Sequence, residues 1–266
     1  MLEPARTLFR TQGLLRILTA RDLKARYRGS VLGFFWSLIN PLMLLAVYTF
    51  VFGFVFQPRI EGMDPYSLFL ITGLFPWVWV STAILEGTVS LTANAALIGK
   101  AAFPAELLPT VPVLANLVHF VLALPILALA LLAGRFLGYD IGGWAAVLLP
   151  LVVLVQIPMV AGLSLGLAAL HAHFKDVRDL VTHAVTLFFF LTPILYAIEA
   201  IPFAWVRSAI RVNPFTPFFL AYQDVLFHGV APPALLWVHM AVLSALFWAL
   251  GAWVFERLSE TLVEAV

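Results

Sequence analysis

The chain has 266 residues, of which 63% are hydrophobic and 11% charged, with a mean hydropathy of +1.02. A soluble domain runs at about 45–50% apolar and about 25% charged residues, so this composition excludes an ordinary soluble enzyme or binding domain and points to lipid as the main solvent. The formal net charge is +1 and there is no cysteine, which excludes disulfides, thiolate nucleophiles and thiolate metal sites.

Residues 1–12 read as a polar, mobile lead-in. From Gly13 the apolar Leu14, Leu15, Ile17 and Leu18 precede a basic cluster, so 13–28 is expected to form an amphipathic helix on the headgroups. A solvated basic arm is the alternative. The stretch RDLKARYRGSVLGFFWSLINP, Arg21 to Pro41, organises the rest of the chain. It carries Arg21, Lys24, Arg26 and Arg28 and then enters an apolar run without charge. A polybasic segment joined to an apolar run marks the cytoplasmic face.

A spanning helix needs about 20 apolar residues. Six runs meet or approach that length: 31–56, 66–90, 107–134, 144–170, 180–198 and 234–255. Each must be helical, because lipid offers the backbone no hydrogen bonds. Pro41, Pro76, Pro112, Pro125, Pro158 and Pro193 fall inside them. With the N-terminus inside, only Arg59, Arg135, Arg207 and Arg211 of the 15 basic residues lie outside. That bias satisfies the positive-inside rule and leaves both termini cytoplasmic. The fold expected is an all-α integral membrane protein of one domain over 1–266.

Two connections stand out. The segment 94–104, NAALIGKAAFP, reads as a short cytoplasmic helix entered near Asn94 and stopped before Pro104, or as a plain turn. The linker 199–233 is too apolar for an open loop. Asn213 suits an N-cap and Pro214 the first helical position. Phe215, Phe218, Phe219, Tyr222 and Leu226 then recur at helical spacing, and Gly229 can close the helix. Two short re-entrant helices on the external side, near Phe203–Ile210 and Pro214–Phe227, fit 199–229 better than a seventh span. A seventh span would bring Arg207, Arg211 and Asp224 towards lipid.

Catalytic patterns are absent. Gly99-Lys100 lacks the rest of a phosphate-binding loop, and no HExxH, GxSxG or paired intramembrane carboxylate occurs. The cluster of His171, His173, Asp176, Asp179 and His183 reads as a solvated turn rather than a metal site. Glu86 and His119 sit in apolar runs, where interfacial solvation or an arginine partner for the first and one hydrogen bond for the second would make them structural. Aromatic residues cluster at Phe34–Trp36, Phe75–Trp77 with Trp79, Phe188–Phe190 with Tyr196, and Phe215 with Phe218 and Phe219. They suit lipid-facing bulk, or a path of flat apolar faces along which sugar rings slide.

The blocks RDLKARYRGSVLGFFWSLINPLM, GLFPWVWVS, NAALIGKAAFPAELLP, FKDVRDL, LTPILY and NPFTPFFLAYQDVLFHG resemble, in order and spacing, the membrane subunit of polysaccharide ABC exporters. These are the type-two permeases for O-antigen, teichoic acid and capsule polymers. The chain departs from the family pattern at Gly99 and Gln223. The resemblance implies a homodimer of six-span subunits in the bacterial cytoplasmic (inner) membrane, joined by two copies of a separate ATPase that binds ATP and magnesium. It implies no cofactor or metal in this chain, no catalysis by it and no nucleic-acid partner. Coupling to the ATPase would fall to Arg21, Asp22, Lys24, Asn94, Ile98, Lys100, Phe103 and Pro104. Phe34, Trp36, Phe75, Trp77, Phe189 and Tyr196 would line the path. Asn213, Pro214, Phe215, Phe218, Phe219 and Tyr222 would form the external gate. Arg26 and Arg28 would attract the diphosphate of a lipid-linked polysaccharide, or simply membrane lipid. A drug exporter subunit and a lipid-modifying membrane enzyme are the alternative functions.

Overall fold

The computed structural model describes residues 3–29, 32, 35–56, 63–98, 103–259 and 261–262, and among these every regular element is helical. Among the described residues four helices are long and apolar enough to cross a membrane. They are α4 (Tyr66–Ala93), α6 (Leu107–Phe136), α7 (Leu149–His173) and α11 (Ala234–Ser259), with a tighter turn, Trp144–Leu148, leading into α7. Two further helices among the described residues are shorter, one apolar and one charged in its first turn. The first, α3 (Trp36–Tyr48), widens into a π-type coil through Phe56, and the other is α8 (Val177–Leu191). The run expected at 180–198 thus ends early, and Pro193 lies beyond the helix rather than inside it. A residue before proline is pushed to extended backbone, and Thr192 has φ −92° and ψ 139°.

The helix α4 is the hub. Its most apolar window is 78% buried, against 28% for α6 and 17% for α11. It packs on α6 along one side and on α7 along another, while α11 lies against α7. Lipid tails are as apolar as leucine, so such contacts are held by close packing rather than by escape from water. Small residues supply the closeness. A Cβ on Gly251 of α11 would overlap the Gly162 carbonyl of α7, and one on Gly166 would approach the Gly251 backbone at 3.0 Å. A Cβ on Gly87 of α4 would lie 2.6 Å from Ser164 of α7.

The bundle has two ends. At the near end lie α1 (Glu3–Arg10), α2 (Gln12–Arg26) and the single turn α5 (Ala95–Ile98). The segment expected as a mobile lead-in is therefore largely helical. At the far end lie α9 (Ala204–Val212) and α10 (Thr216–Gln223), the latter continuing as a π-type turn to His228. Gly229 closes it at φ +67°, a left-handed conformation that glycine adopts without strain. Asn213 turns the chain as anticipated, but two residues before the N-cap, which is Phe215. Its Oδ1 accepts the Phe215 N–H at 2.9 Å, and the helix begins at Thr216, so Pro214 precedes it. Its amide donates to the Leu191 carbonyl (3.1 Å) and to Thr192 Oγ1 (3.0 Å), pinning the turn to the end of α8.

Candidate functional site

The near end is built on α2. Leu18 and Thr19 are buried and Asp22, Leu23 and Arg26 half-buried on the side that packs on α6. On the opposite side Arg21, Lys24 and Arg28 are exposed, with Ile17, Ala20 and Ala25 between them along one open groove. The spacing of three and four residues puts the three cations on one stripe, and they make no ion pair among the described residues.

Arg26 points the other way. Its Nε donates to Asp22 at 2.8 Å, Nη1 to Glu86 at 3.1 Å and Asn116 at 3.2 Å, and Nη2 to Glu86 at 2.5 Å. Asn116 Nδ2 in turn donates to Glu86 at 2.7 Å and to the Pro112 carbonyl at 2.9 Å. Burial opposes the guanidinium charge, but Glu86 and then Asp22 outweigh it and raise the Arg26 pKa. One fork thus ties α2 to both α4 and α6. Beside it the Tyr27 hydroxyl meets the His119 ring, with Nδ1 at 3.2 Å and the rings edge-on at 5.7 Å. Of the two alternatives open for Glu86, the structure supplies the arginine partner. Asn116 was missed, although Asn116 and His119 share one face of a helical run three residues apart.

Of the residues expected to couple to an ATPase, Asn94 ends α4, where its amide donates to the Ser90 carbonyl at 2.9 Å and its carbonyl starts α5. Ile98 packs beside buried Leu91 and Leu108, and Phe103 reaches that cluster and the one holding Leu18 and Leu107. Phe103 therefore joins the 94–104 segment to α2, and Pro104 follows it, half-buried. Lys100 lies outside the described residues.

The aromatics divide. Phe75 and Trp77 are 4% and 6% exposed, and Trp77 rests among Phe189, Phe215 and Phe219 at ring separations of 5.6–5.9 Å. Both are buried within the chain's own core, Trp77 against Phe215 and Phe219 at the start of α10. Phe218, Phe219 and Tyr222 are fully buried, and the Tyr222 hydroxyl donates to Gln156 Oε1 at 2.6 Å. Tyr196 is half-buried and donates to the Phe190 carbonyl at 3.0 Å. Phe34 lies outside the described residues.

Exposed faces occur on α3 and α8. Trp36, Met43, Val47, Phe50 and Phe54 repeat at steps of three, four and seven along α3 and its extension, all exposed. On α8 the exposed face carries Thr182, His183, Thr186, Leu187 and Phe190. Thr182 and Thr186 donate to the carbonyls four residues before them, at 2.9 and 3.0 Å. Their oxygens keep free lone pairs facing outward. Sequence reading passed over this hydroxyl stripe because aromatic neighbours dominate the run.

At the far end Asp224 is half-buried. Burial first, and then the nearby charge of Glu199, push its carboxyl up to about 6. Burial also lowers the His228 imidazole.

Comparison with known proteins bears on the whole length. The ABC-2 type transporter family matches residues 13–227. An O-antigen export system permease protein RfbA of Myxococcus xanthus is 36% identical over 269 aligned residues, covering 100% of both chains. Two proteins of the same name from Klebsiella pneumoniae are each 34% identical. One alignment covers 81% of this chain and the other 82%, and each covers 81% of the relative.

Proposed function

The chain belongs to the ABC-2 type transporter family, and we propose that it is the membrane subunit of an ATP-driven exporter of lipid-linked polysaccharide in the cytoplasmic membrane. The observation that carries this reading is its end-to-end identity with a relative named as an O-antigen export permease. Two copies form the translocating unit, and a separate ATPase, in two copies, binds ATP and magnesium.

In this reading α3 and α8 are the first and fifth of six spans, and α9 and α10 form a re-entrant pair on the external side. The basic stripe of α2 and the 94–104 segment receive the ATPase. Its movement enters the bundle through Phe103 and through the Arg26 fork to α4 and α6. Exposed polar side chains are costly against lipid. That cost favours the stripe of Thr182, His183 and Thr186 as a face towards the path between subunits, with the Trp36–Phe54 stripe of α3 beside it. Alternating hydroxyl and aromatic surface offers a sliding glycan many weak contacts and no tight one. Arg26 has two carboxylates and an amide on its donors, so attraction of a lipid diphosphate falls instead to exposed Arg28 with Arg21 and Lys24.

The test is reconstitution of the chain with its ATPase in vesicles, following ATP-dependent movement of lipid-linked polysaccharide. The Arg21→Glu/Lys24→Glu pair is expected to retain folding but lose ATP-driven movement and ATPase binding. Movement without an ATPase, or ATP-driven movement of small drugs but no glycan, overturns the proposal.

A further inference from the structure

Between α2, α3, α4 and α6 lies a cavity of about 290 Å³ whose two ends differ in chemistry. The near end is lined by Arg26, Asn40, Thr82 and His119, the deep end by Leu44, Phe75, Phe120 and Ala123. The gradient follows from the chain. Going deeper means moving back along α4 from Thr82 to Phe75 and forward along α6 from His119 to Ala123.

The polar end is under-satisfied. The exposed Asn40 amide and the half-buried Thr82 hydroxyl make no hydrogen bond among the described residues. One Tyr27 hydroxyl stands before both ring nitrogens of His119, at 3.2 and 3.4 Å, and a single hydroxyl serves only one of them well. Polar groups at membrane depth need partners. Water could serve the near end, but the deep end is apolar and would stay dry. The volume holds about ten heavy atoms at roughly 30 Å³ each.

We propose that this cavity binds a bilayer phospholipid, taking its ester region at Asn40, Thr82 and His119 and the first part of one acyl chain along Phe75 and Ala123. The Asn40 and Thr82 donors match ester carbonyls, which only accept. A diphosphate carrier is disfavoured, because the one cation at the rim among the described residues, Arg26, is shared between Asp22 and Glu86. The site rests on the chain being embedded in a membrane and is independent of the cargo. Its occupant would pack α3 against α4 and α6 beside the Arg26 fork.

The experiment is native mass spectrometry of the full chain, with its ATPase where the two copurify, released from membranes in mild detergent. One phospholipid per chain is expected in the wild type. Ala123→Trp fills the deep end and should lower retention about tenfold, a loss of about 1.4 kcal/mol. Val121→Trp on the exposed side of α6 should leave retention unchanged. Should Ala123→Trp fail to fold, the Asn40→Leu/Thr82→Val pair replaces it and should speed exchange with deuterated phospholipid. Equal retention and exchange in all variants overturns the proposal, as does a glycan, a polyprenyl diphosphate or detergent alone in the wild-type spectrum.

Discussion

The Arg26 guanidinium on α2 grips the Glu86 carboxylate on α4, 60 residues away, through two hydrogen bonds of 2.5 and 3.1 Å. A charge in an apolar run is tolerated when its partner arrives from another element. Here the partner comes from a helix outside the run. The pair sits about two turns from the end of α4, so it is reachable from the interface. The side chains are 24% and 37% exposed, which tempers their strength. Glu86→Ala is expected to cost about 1–2 kcal/mol, since it strips a charged partner from Arg26. The Arg26→Met/Glu86→Met pair should cost less than the sum of its single changes. Thermal unfolding of the four proteins in detergent measures this, and strict additivity would refute the coupling.

The contact between Gly162 and Gly251 makes a harsher prediction. A side chain at either position meets backbone, which cannot rotate away. Gly251→Leu should therefore separate α7 from α11 and sharply lower the yield of folded protein. Gly13→Leu, at a glycine with open space around it, should be tolerated. Size-exclusion profiles distinguish the two, and a monodisperse Gly251→Leu protein would contradict this packing.

Tyr222 and Gln156 form a buried polar pair holding α10 to α7, and Gln156 Nε2 has no hydrogen-bond partner among the described residues. Removing one member orphans the other, while removing both leaves nothing unpaired. Tyr222→Phe should cost about 1–2 kcal/mol. The Tyr222→Phe/Gln156→Met pair should recover much of that loss. Melting curves check the order, and a double variant weaker than either single one would defeat it.

Asp224 gives a pH dependence with a definite sign. Burial, aided by Glu199, raises its carboxyl from 3.8 to about 6, so the folded state holds the proton more tightly than the unfolded state. The contribution to stability is full below about pH 4, is lost as pH rises through about 6, and is flat above. Asp224→Asn should remove that slope. Melting temperatures of both proteins at pH about 5 and about 7.5 test it, and identical slopes would exclude Asp224 as the source.

Much of this was written along the chain. The six apolar runs, the basic N-terminal segment, the turn at Asn213 and the stop at Gly229 depend on local composition or on one residue's backbone freedom. Such properties survive in one dimension. The early end of α8 was missed, although Thr192 stands before Pro193 and is pushed to extended backbone.

The facing of the side chains was not written there. Trp36 and Trp77 lie in similar apolar runs, yet one is 39% exposed and the other 6%. A helix apolar on every side carries no mark of which side meets lipid, a partner or its own core. That choice belongs to the neighbours. Close glycine contacts set how α7 and α11 meet, the insertion of α10 buries Trp77, and the approach of α2 gives Glu86 its partner. The sequence thus determined the solvent and the rods, and packing in three dimensions decided which surfaces remain free to act.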